Sequence, residues 1–177
     1  LEDKKGNFWF GSTANGLRRV EPNGNETVFS KKDGLADDYV NSLFEDSKGT
    51  IWIGTRNGLN IFKDGALTVF SAKDGWTGKH VISFHEDKNG NLWIGTHGDG
   101  LFLFRDGRFS VITSKHGLYD NLAFQILEDD NGNLWMSGNK GIYRANIGEL
   151  IDFAEGRRSF INSFSYGSID GMLSREC

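Results

Sequence analysis

The amino-acid sequence predicts an all-β protein built from tandem repeats, and two observations carry this prediction. The 177 residues include 24 glycines but a single proline, and many of the glycines follow asparagine or aspartate, so the chain turns often without using proline. Trp9, Trp52, Trp93 and Trp135 are separated by 43, 41 and 42 residues. A fixed period of this length indicates a repeated supersecondary unit, and the chain contains four copies.

A short acidic turn precedes each of these tryptophans. The aspartate of the turn can accept hydrogen bonds from the turn backbone, and a glycine three residues later supplies the positive φ that closes a hairpin. The repetition therefore predicts turn formers rather than catalytic carboxylates. The acidic pairs are Glu2-Asp3, Glu45-Asp46, Glu86-Asp87 and Glu128-Asp129, and the glycines are Gly6, Gly49, Gly90 and Gly132.

The second copy shows the strands of the unit most clearly. Its second strand is apolar at successive positions, as expected for a strand covered on both faces. Further Asn-Gly and Asp-Gly pairs suit type I′ hairpin turns; they are Asn15-Gly16, Asn23-Gly24, Asn57-Gly58, Asp64-Gly65, Asp99-Gly100 and Asp106-Gly107. The predicted strands are A at Val40 to Glu45, B at Thr50 to Thr55, C at Leu59 to Lys63 and D at Ala66 to Ser71.

Four antiparallel strands in about 42 residues, apolar on both faces, are typical of a β-propeller blade. We expect four blades that form an incomplete ring, with blade 1 lacking most of strand A. Apolar residues at helical spacing predict a short helix inserted before the last strand, Phe160 to Tyr166. The predicted ranges are 1–38, 39–79, 80–121 and 122–171 for blades 1 to 4, with the insert at 147–156.

Composition and charge exclude several classes of function. A net charge of −4 without a basic cluster argues against nucleic acid as a partner. No apolar run approaches the ~20 residues of a membrane span, and the N-terminal residues are not a signal peptide. The single cysteine, Cys177, allows no intrachain disulfide. The four histidines show no metal-ligand spacing, and we predict no metal, no cofactor and no catalytic residue.

The repeat resembles a known family. The segment 86–96, Glu-Asp-Lys-Asn-Gly-Asn-Leu-Trp-Ile-Gly-Thr, is similar to the units of two-component regulator propellers, and four copies cover essentially the whole chain. Residues 166–177 are similar to the segment that leads from the last blade of such proteins into an immunoglobulin-like domain. We therefore expect residues 172–177 to lead into a following domain that is absent here.

The resemblance implies a function in signalling. Members of this family form the periplasmic sensor part of membrane receptors whose outputs are histidine kinases, hybrid regulators or diguanylate cyclases, and many respond to carbohydrates. Their propellers usually have about seven blades, so four blades would be roughly half of a ring. The implied partners are a small-molecule or oligosaccharide ligand, the other blades of the parent propeller or a second copy of the chain, and a membrane only through parent segments outside these residues.

The loops that join strand D to strand A, and B to C, share one face of a propeller, and we predict the ligand site there. Aromatic rings beside amide and charged groups suit a sugar. The candidates are Tyr39, Arg56, Trp76, His80, His97, Asp99, Tyr119 and Asn121. The repeated tryptophans, in contrast, are predicted to pack between blades.

Two alternatives stay open, because fold alone does not determine function. The first is an enzyme on a propeller scaffold, such as a lyase or a quinone-dependent dehydrogenase. The second is a ring that binds other proteins through its loop aromatics.

Overall fold

The computed structural model describes residues 1–172, so the predicted lead into a following domain lies almost wholly outside the described residues. The chain divides into two units, Leu1–Val81 and Ile82 onward. Among residues 1–172, no helix is long and apolar enough to cross a membrane.

The first unit contains the strands of blades 1 and 2. Blade 1 is a three-stranded antiparallel sheet in the order β1-β2-β3, and blade 2 is a four-stranded sheet in the order β4-β5-β6-β7. The strands are β1 (Phe8–Gly11), β2 (Leu17–Val20), β3 (Glu26–Phe29), β4 (Val40–Glu45), β5 (Ile51–Thr55), β6 (Gly58–Lys63) and β7 (Ala66–Val69).

Blades 3 and 4 are four-stranded sheets, in the orders β8-β9-β10-β11 and β12-β13-β14-β15. Strand β8 begins at the last residue of the first unit. A single α-helix, α1 (Ile147–Ala154), separates the last two strands among the described residues. The strands are β8 (Val81–Glu86), β9 (Leu92–Thr96), β10 (Leu101–Arg105), β11 (Arg108–Ile112), β12 (Ile126–Glu128), β13 (Asn133–Gly138), β14 (Gly141–Asn146) and β15 (Ser163–Tyr166).

These sheets confirm the predicted all-β architecture and the strand order of the second copy. The inserted helix is also confirmed: the Asn146 side chain caps its N-terminus by accepting a hydrogen bond from the Glu149 N–H at 3.3 Å. Strand β15 is shorter than predicted, since Phe160 precedes it and is 55% exposed. In blade 1, the position of the innermost strand is occupied by an isolated antiparallel bridge between Glu2 and Phe8.

The acidic turns have a second role that the sequence did not reveal. In every copy one carboxylate oxygen of the aspartate accepts turn N–H groups, and the other accepts the indole N–H of the repeat tryptophan. These indole bonds are 2.7 Å for Asp3 and Trp9, 2.8 Å for Asp46 and Trp52, 2.9 Å for Asp87 and Trp93, and 2.8 Å for Asp129 and Trp135.

The predicted type I′ turns occur at only two of the six pairs. Asp64 and Asp106 have φ of 49° and 50°, and the glycines after them are also positive, as a type I′ turn requires. At the other four pairs the glycine alone has positive φ. The type I′ prediction is wrong there because a longer or bulged connection needs one left-handed residue rather than two.

Each unit has its own hydrophobic core between its two blades. In the first unit Trp9 and Leu17 of blade 1 pack with Ile51, Ile53 and Phe62 of blade 2. In the second unit Trp93 of blade 3 belongs to a larger cluster that includes residues of blade 4 and of the inserted helix. Trp9 and Trp93 are buried in these two cores, which confirms the predicted packing between blades for these two tryptophans. Trp52 is also buried.

Candidate functional site

The loops from strand D to strand A share one local structure. Each forms a short 3-10 turn that ends at a glycine with φ between 85° and 100°. The residue after the glycine is buried at 3% exposure in all three loops, and its N–H donates to the carbonyl that starts the turn. These buried residues, which we call the loop plugs, are Leu35, Trp76 and Leu118.

The loop plugs change the interpretation of Trp76, which we predicted as a ligand-stacking residue. Trp76 occupies the position that Leu35 and Leu118 occupy in the other two loops. Its ring is 3% exposed, so it is not accessible for stacking on a ligand in this conformation. The alignment of Leu35, Trp76 and Leu118 after equivalent glycines was visible in the sequence and could have identified this role.

In the first unit the structure brings three predicted residues together. The Arg56 guanidinium lies 5.8 Å from the centre of the Tyr39 ring, a cation–π arrangement. The backbone links them further, since the Arg56 N–H donates to the Tyr39 carbonyl at 3.0 Å and the His80 N–H donates to the Arg56 carbonyl at 2.8 Å. His80 has a φ of 37°, a left-handed conformation that is uncommon outside glycine.

Asp37 fixes the loop that carries Tyr39. Its carboxylate accepts the Tyr39 N–H at 2.8 Å and a hydrogen bond from the Asn57 side-chain amide. Partial burial opposes ionisation, but these hydrogen bonds outweigh it, and with the Lys31 and Arg56 cations they lower the pKa of Asp37. The carboxylate is thus ionised beside Arg56. We call Asp37, Tyr39, Arg56, Asn57 and His80 the unit 1 cluster.

The second unit contains a related arrangement between the loop that ends blade 3 and the strands of blade 4. Tyr119 contacts the buried Tyr143 with ring centres 5.8 Å apart, and the Lys140 ammonium lies 6.0 Å from the Tyr119 ring centre. Lys140 is also 3.9 Å from Oδ1 of Asp120. Asp120 is 6% exposed, and its Oδ2 is buried without a hydrogen-bond partner among the described residues.

The buried Tyr143 is hydrogen-bonded to the backbone of the loop that carries Tyr119 and Asp120. Its hydroxyl donates to the Leu122 carbonyl and approaches the Asp120 carbonyl at 2.5 and 3.2 Å, respectively. Burial, and then the Asp120 carboxylate, raises the pKa of Tyr143. The phenol therefore stays neutral and acts as a donor. We call Tyr119, Asp120, Lys140 and Tyr143 the unit 2 cluster.

The other predicted residues of the second unit lie at one contact between loops. The Gly98 and Gly100 N–H groups donate to the Asn121 carbonyl. His97 pairs with Leu122 as a β-bridge, and its ring is 6.2 Å from that of Phe124. Asn121 also caps the 3-10 turn by accepting the Ser114 N–H at 2.7 Å. Asn121 therefore holds the loops together, while His97 and Asp99 are exposed.

The two clusters are built on equivalent positions. Asp37 and Asp120 both lie two residues after a loop plug, and each faces the B-to-C turn of the following blade, through Asn57 and Lys140. Sequence reasoning missed Asn57, Lys140 and Tyr143. The turn signals did place Asn57 and Lys140 beside glycines, but their partners depend on which loop packs beside that turn.

A cavity of about 510 Å³ lies elsewhere in the second unit, between the β10–β11 hairpin and the end of α1. Its lining includes Arg105 and Glu155, which already pair at 2.9 Å. Among the described residues, no group of three or more His, Cys, Asp or Glu could hold a metal ion. The loop clusters therefore remain the better candidates for a ligand site.

Known structures contain the same fold. The chain is similar to the extracellular domain of the putative hybrid two component system BT3049 from B. thetaiotaomicron, with 26% identity, a TM-score of 0.75, and coverage of 98% of this chain and 23% of that one. The extracellular domain of the putative one component system BT4673 from the same organism matches at 24% identity and a TM-score of 0.67, over 82% of this chain and 23% of that one.

An enzyme shares the fold at lower similarity. Virginiamycin B lyase from Staphylococcus aureus matches at 18% identity and a TM-score of 0.64, over 94% of this chain and 54% of the lyase. A comparison with curated protein sequences found no match. The chain spans about a quarter of the length of the two extracellular domains.

The sequence pattern of the two component regulator propeller family matches residues 34–57 and 75–98. Each match begins at the glycine directly before a loop plug and ends in the turn after strand B. It therefore contains the loop, strand A, the acidic turn and the tryptophan whose indole donates to that turn. These two matches identify two component regulator propeller repeats at residues 34–57 and 75–98.

Proposed function

We propose that this chain is the ligand-sensing propeller part of an extracytoplasmic, periplasmic receptor, and that it binds a carbohydrate or a similar small polar ligand without chemical conversion. The signal would pass to an output domain outside this chain. The similarity to extracellular domains of two-component systems supports the location and the receptor class.

The unit 1 cluster is the observation that carries the proposal. It combines an aromatic ring, a guanidinium, an ionised carboxylate and a side-chain amide on adjacent loops. The apolar face of a pyranose can stack on the Tyr39 ring, while its hydroxyls donate to Asp37 and accept from Arg56 and Asn57. Such a mixture binds a neutral polyol better than a strongly charged ligand.

The unit 2 cluster supports the same ligand class independently. Tyr119 offers a ring edge and Lys140 a donor that is 61% exposed in its side chain. Lys140 is too far from Asp120 for a hydrogen bond, so its ammonium is available to a ligand hydroxyl.

The test is a glycan array probed with the labelled chain, followed by calorimetric titration of any glycan that binds. We expect saturable binding that weakens about tenfold or more in Tyr39→Ala and Arg56→Ala, since each removes a central contact. Arg108→Ala is the matched control, because Arg108 is also an exposed arginine beside a hairpin turn but lies outside both clusters.

The remaining outcomes separate the alternatives. Product formation from a bound glycan would show a propeller enzyme instead of a sensor. If no glycan binds, or if Arg108→Ala weakens binding as much as Arg56→Ala does, the proposed site is wrong.

A further inference from the structure

The three 3-10 turns that precede the loop plugs are each capped by their own last residue. The turns are Lys31–Asp33, Ala72–Asp74 and Ser114–His116, and we call them the first, second and third turns. In each turn the side chain of the last residue accepts a hydrogen bond from the N–H of the residue just before the turn. The cap therefore closes the start of each loop.

The capping residue is an aspartate in the first and second turns. The hydroxyl and the N–H of Ser30 donate to the Asp33 carboxylate at 2.7 and 2.9 Å. Ser71 makes the same two bonds to Asp74, at the same distances. The hydroxyl bond, and then the backbone bond, lowers the pKa of Asp33 and of Asp74. Both carboxylates therefore remain ionised acceptors in neutral and mildly acidic solution.

The third turn has a histidine in this position. The Thr113 N–H donates to Nδ1 of His116 at 3.1 Å, and the Thr113 hydroxyl lies 3.3 Å from the same nitrogen. Because Nδ1 needs a lone pair to accept this bond, the proton of the neutral ring is on Nε2. A second proton would convert Nδ1 into a donor. The Thr113 N–H would then face another donor in place of its acceptor, and the cap would be lost.

The two kinds of cap differ in the pH range over which they respond. Histidine is the side chain that ordinarily changes its charge between about pH 5 and 8, whereas aspartate stays ionised over this whole range. His116 is half-buried, so solvent protons can reach its ring. Opening of the turn frees Nδ1, and the open loop therefore takes up the proton more readily than the closed loop. Acidification thus favours the open loop, and the closed loop is recovered as the pH rises.

The segment inserted in blade 4 packs on the third turn. The His116 ring centre lies 4.7 Å from that of Phe153 in α1, and the Ile161 N–H donates to the His116 carbonyl at 2.8 Å. Neither contact requires a neutral ring, since an imidazolium is also attracted to an aromatic face. The protonated ring can therefore keep its contact with α1, and the effect of the proton falls on the turn.

The charged groups around this loop do not take over the cap. Among residues 1–172, none of them forms an ion pair or a hydrogen bond with the His116 ring, and the acidic groups of the insert are paired with arginines. His97 pairs with Leu122 at the end of the loop and can change its charge in the same pH range. The titratable and charged groups of the loop and of the elements packed against it are Lys115, Asp120, His97, Lys140, Glu149, Asp152, Glu155, Arg157 and Arg158.

The third loop carries the unit 2 cluster. Thr113 ties the turn together at two points, because its N–H donates to His116 and its carbonyl accepts the Leu118 N–H at 3.2 Å. Tyr119 and Asp120 follow Leu118 directly. Release of the Thr113 N–H therefore loosens the backbone that positions the aromatic ring and the carboxylate of the cluster.

We propose that His116 is a pH-sensitive cap of the third loop. Protonation of its imidazole releases Thr113 and loosens the loop that carries Tyr119 and Asp120, while the two aspartate-capped turns stay closed. The unit 2 cluster is then assembled at neutral pH and weakened in mild acid. This consequence for recognition rests on the proposed function, whereas the opening of the loop does not.

The test is amide hydrogen exchange by NMR on the whole chain without a glycan, at about pH 7.5 and about pH 5.5. Protection factors remove the pH dependence of the chemical exchange itself. We expect the protection of the Leu118 N–H to fall at least about threefold at the lower pH, as for the loss of a helix cap. The equivalent N–H groups of Leu35 and Trp76, which donate to the Ser30 and Ser71 carbonyls, should stay equally protected.

Reciprocal variants assign the effect to the capping residue. His116→Asp introduces the carboxylate cap of the other two turns and should keep the protection of Leu118 constant between the two pH values. Asp33→His should transfer the fall in protection to Leu35. His97→Gln, which removes the other histidine near the loop, should leave the response of Leu118 unchanged. Circular dichroism at both pH values establishes that each variant is folded.

The proposal is overturned if Leu118 is equally protected at both pH values, if His116→Asp shows the wild-type fall, or if His97→Gln abolishes it. An Asp33→His chain whose first turn stays insensitive to pH would equally contradict it. Since no glycan is present in these measurements, a failure of glycan binding contradicts the proposed function alone.

Discussion

Trp93 and Trp135 have the same local structure but different surroundings. Each indole donates to the aspartate six residues earlier, at 2.9 and 2.8 Å, and each lies in the second strand of its blade. Trp93 is 0% exposed within the core of the second unit, whereas Trp135 is half-buried and stacks on Tyr166 of its own blade at 5.2 Å.

The comparison of Trp93 with Trp135 separates what sets the orientation of the tryptophan ring from what buries it. The acidic turn sets the orientation of the ring in each copy, because the carboxylate fixes the indole N–H. Burial is supplied by the neighbouring blade and not by the motif itself. A repeat protein gains most of its hydrophobic free energy at such interfaces between units.

The largest expected effect comes from truncating the two rings. Trp93→Ala should lower the free energy of unfolding by ~3–5 kcal/mol, because it leaves a cavity in a closed core. Trp135→Ala should cost about 1–2 kcal/mol, because much of its ring area is not removed from water. Urea denaturation followed by circular dichroism measures both values, and equal losses would contradict the comparison.

A smaller effect is expected from the turn aspartates. Asp87 is buried and accepts two backbone N–H groups, the Asn91 amide and the Trp93 indole, so Asp87→Ala should cost ~2–4 kcal/mol by leaving these donors unpaired. Asp129→Ala should destabilise less, since its partners are closer to solvent. The same denaturation experiment tests this order, and the reverse order would be inconsistent with it.

Acid should weaken the turns. Burial opposes ionisation of Asp3, but hydrogen bonds from Trp9, Asn7 and Lys5 lower its pKa, and hydrogen bonds from Trp135 and Asn133 lower the pKa of Asp129. Because the folded pKa is below the unfolded one, the unfolded chain binds protons first as the pH falls. Stability should therefore be complete above about pH 4 and decline below it. A melting temperature that stays constant from pH 5 to about pH 3 would contradict this prediction.

The smallest expected effect concerns the arginines over the rings. Arg19→Ala removes contacts with Trp9 and Phe62 across two blades, whereas Arg144→Ala removes contacts within one blade. We expect losses of about 1 kcal/mol and about 0.5 kcal/mol, respectively. Thermal unfolding of the two variants, with lysine replacements as charge-conserving controls, measures the difference.

The period of the tryptophans was sufficient to predict the fold. Strand order, the strand positions of the second copy and the inserted helix followed from turn residues and local periodicity, which depend on neighbouring residues in the chain. The burial of Trp76 was missed because a single loop tryptophan does not show whether its ring points outward or inward; only its alignment with Leu35 and Leu118 indicates a buried position.

The candidate site was harder to predict for a physical reason. Asp37 and Asp120 were visible as loop residues, but their partners Asn57 and Lys140 lie about 20 residues later in sequence and meet them only when the hairpin folds back. Tyr143, which lies under Asp120 from within strand β14, belongs to the core pattern and gives no sequence signal of its contact with a loop.

The loop plugs determine which positions of the connecting loops can be substituted. Leu35, Trp76 and Leu118 anchor each connecting loop from beneath, and the 3-10 turn before each plug is closed by its own hydrogen bonds. Asp38 and Asn121, three residues after their plugs, also cap these turns by accepting the Lys31 and Ser114 N–H groups at 2.8 and 2.7 Å. Substitution at the other positions after a plug should therefore leave the anchor and the turn in place. The three loops thus keep one backbone conformation while the side chains at these few positions differ between them.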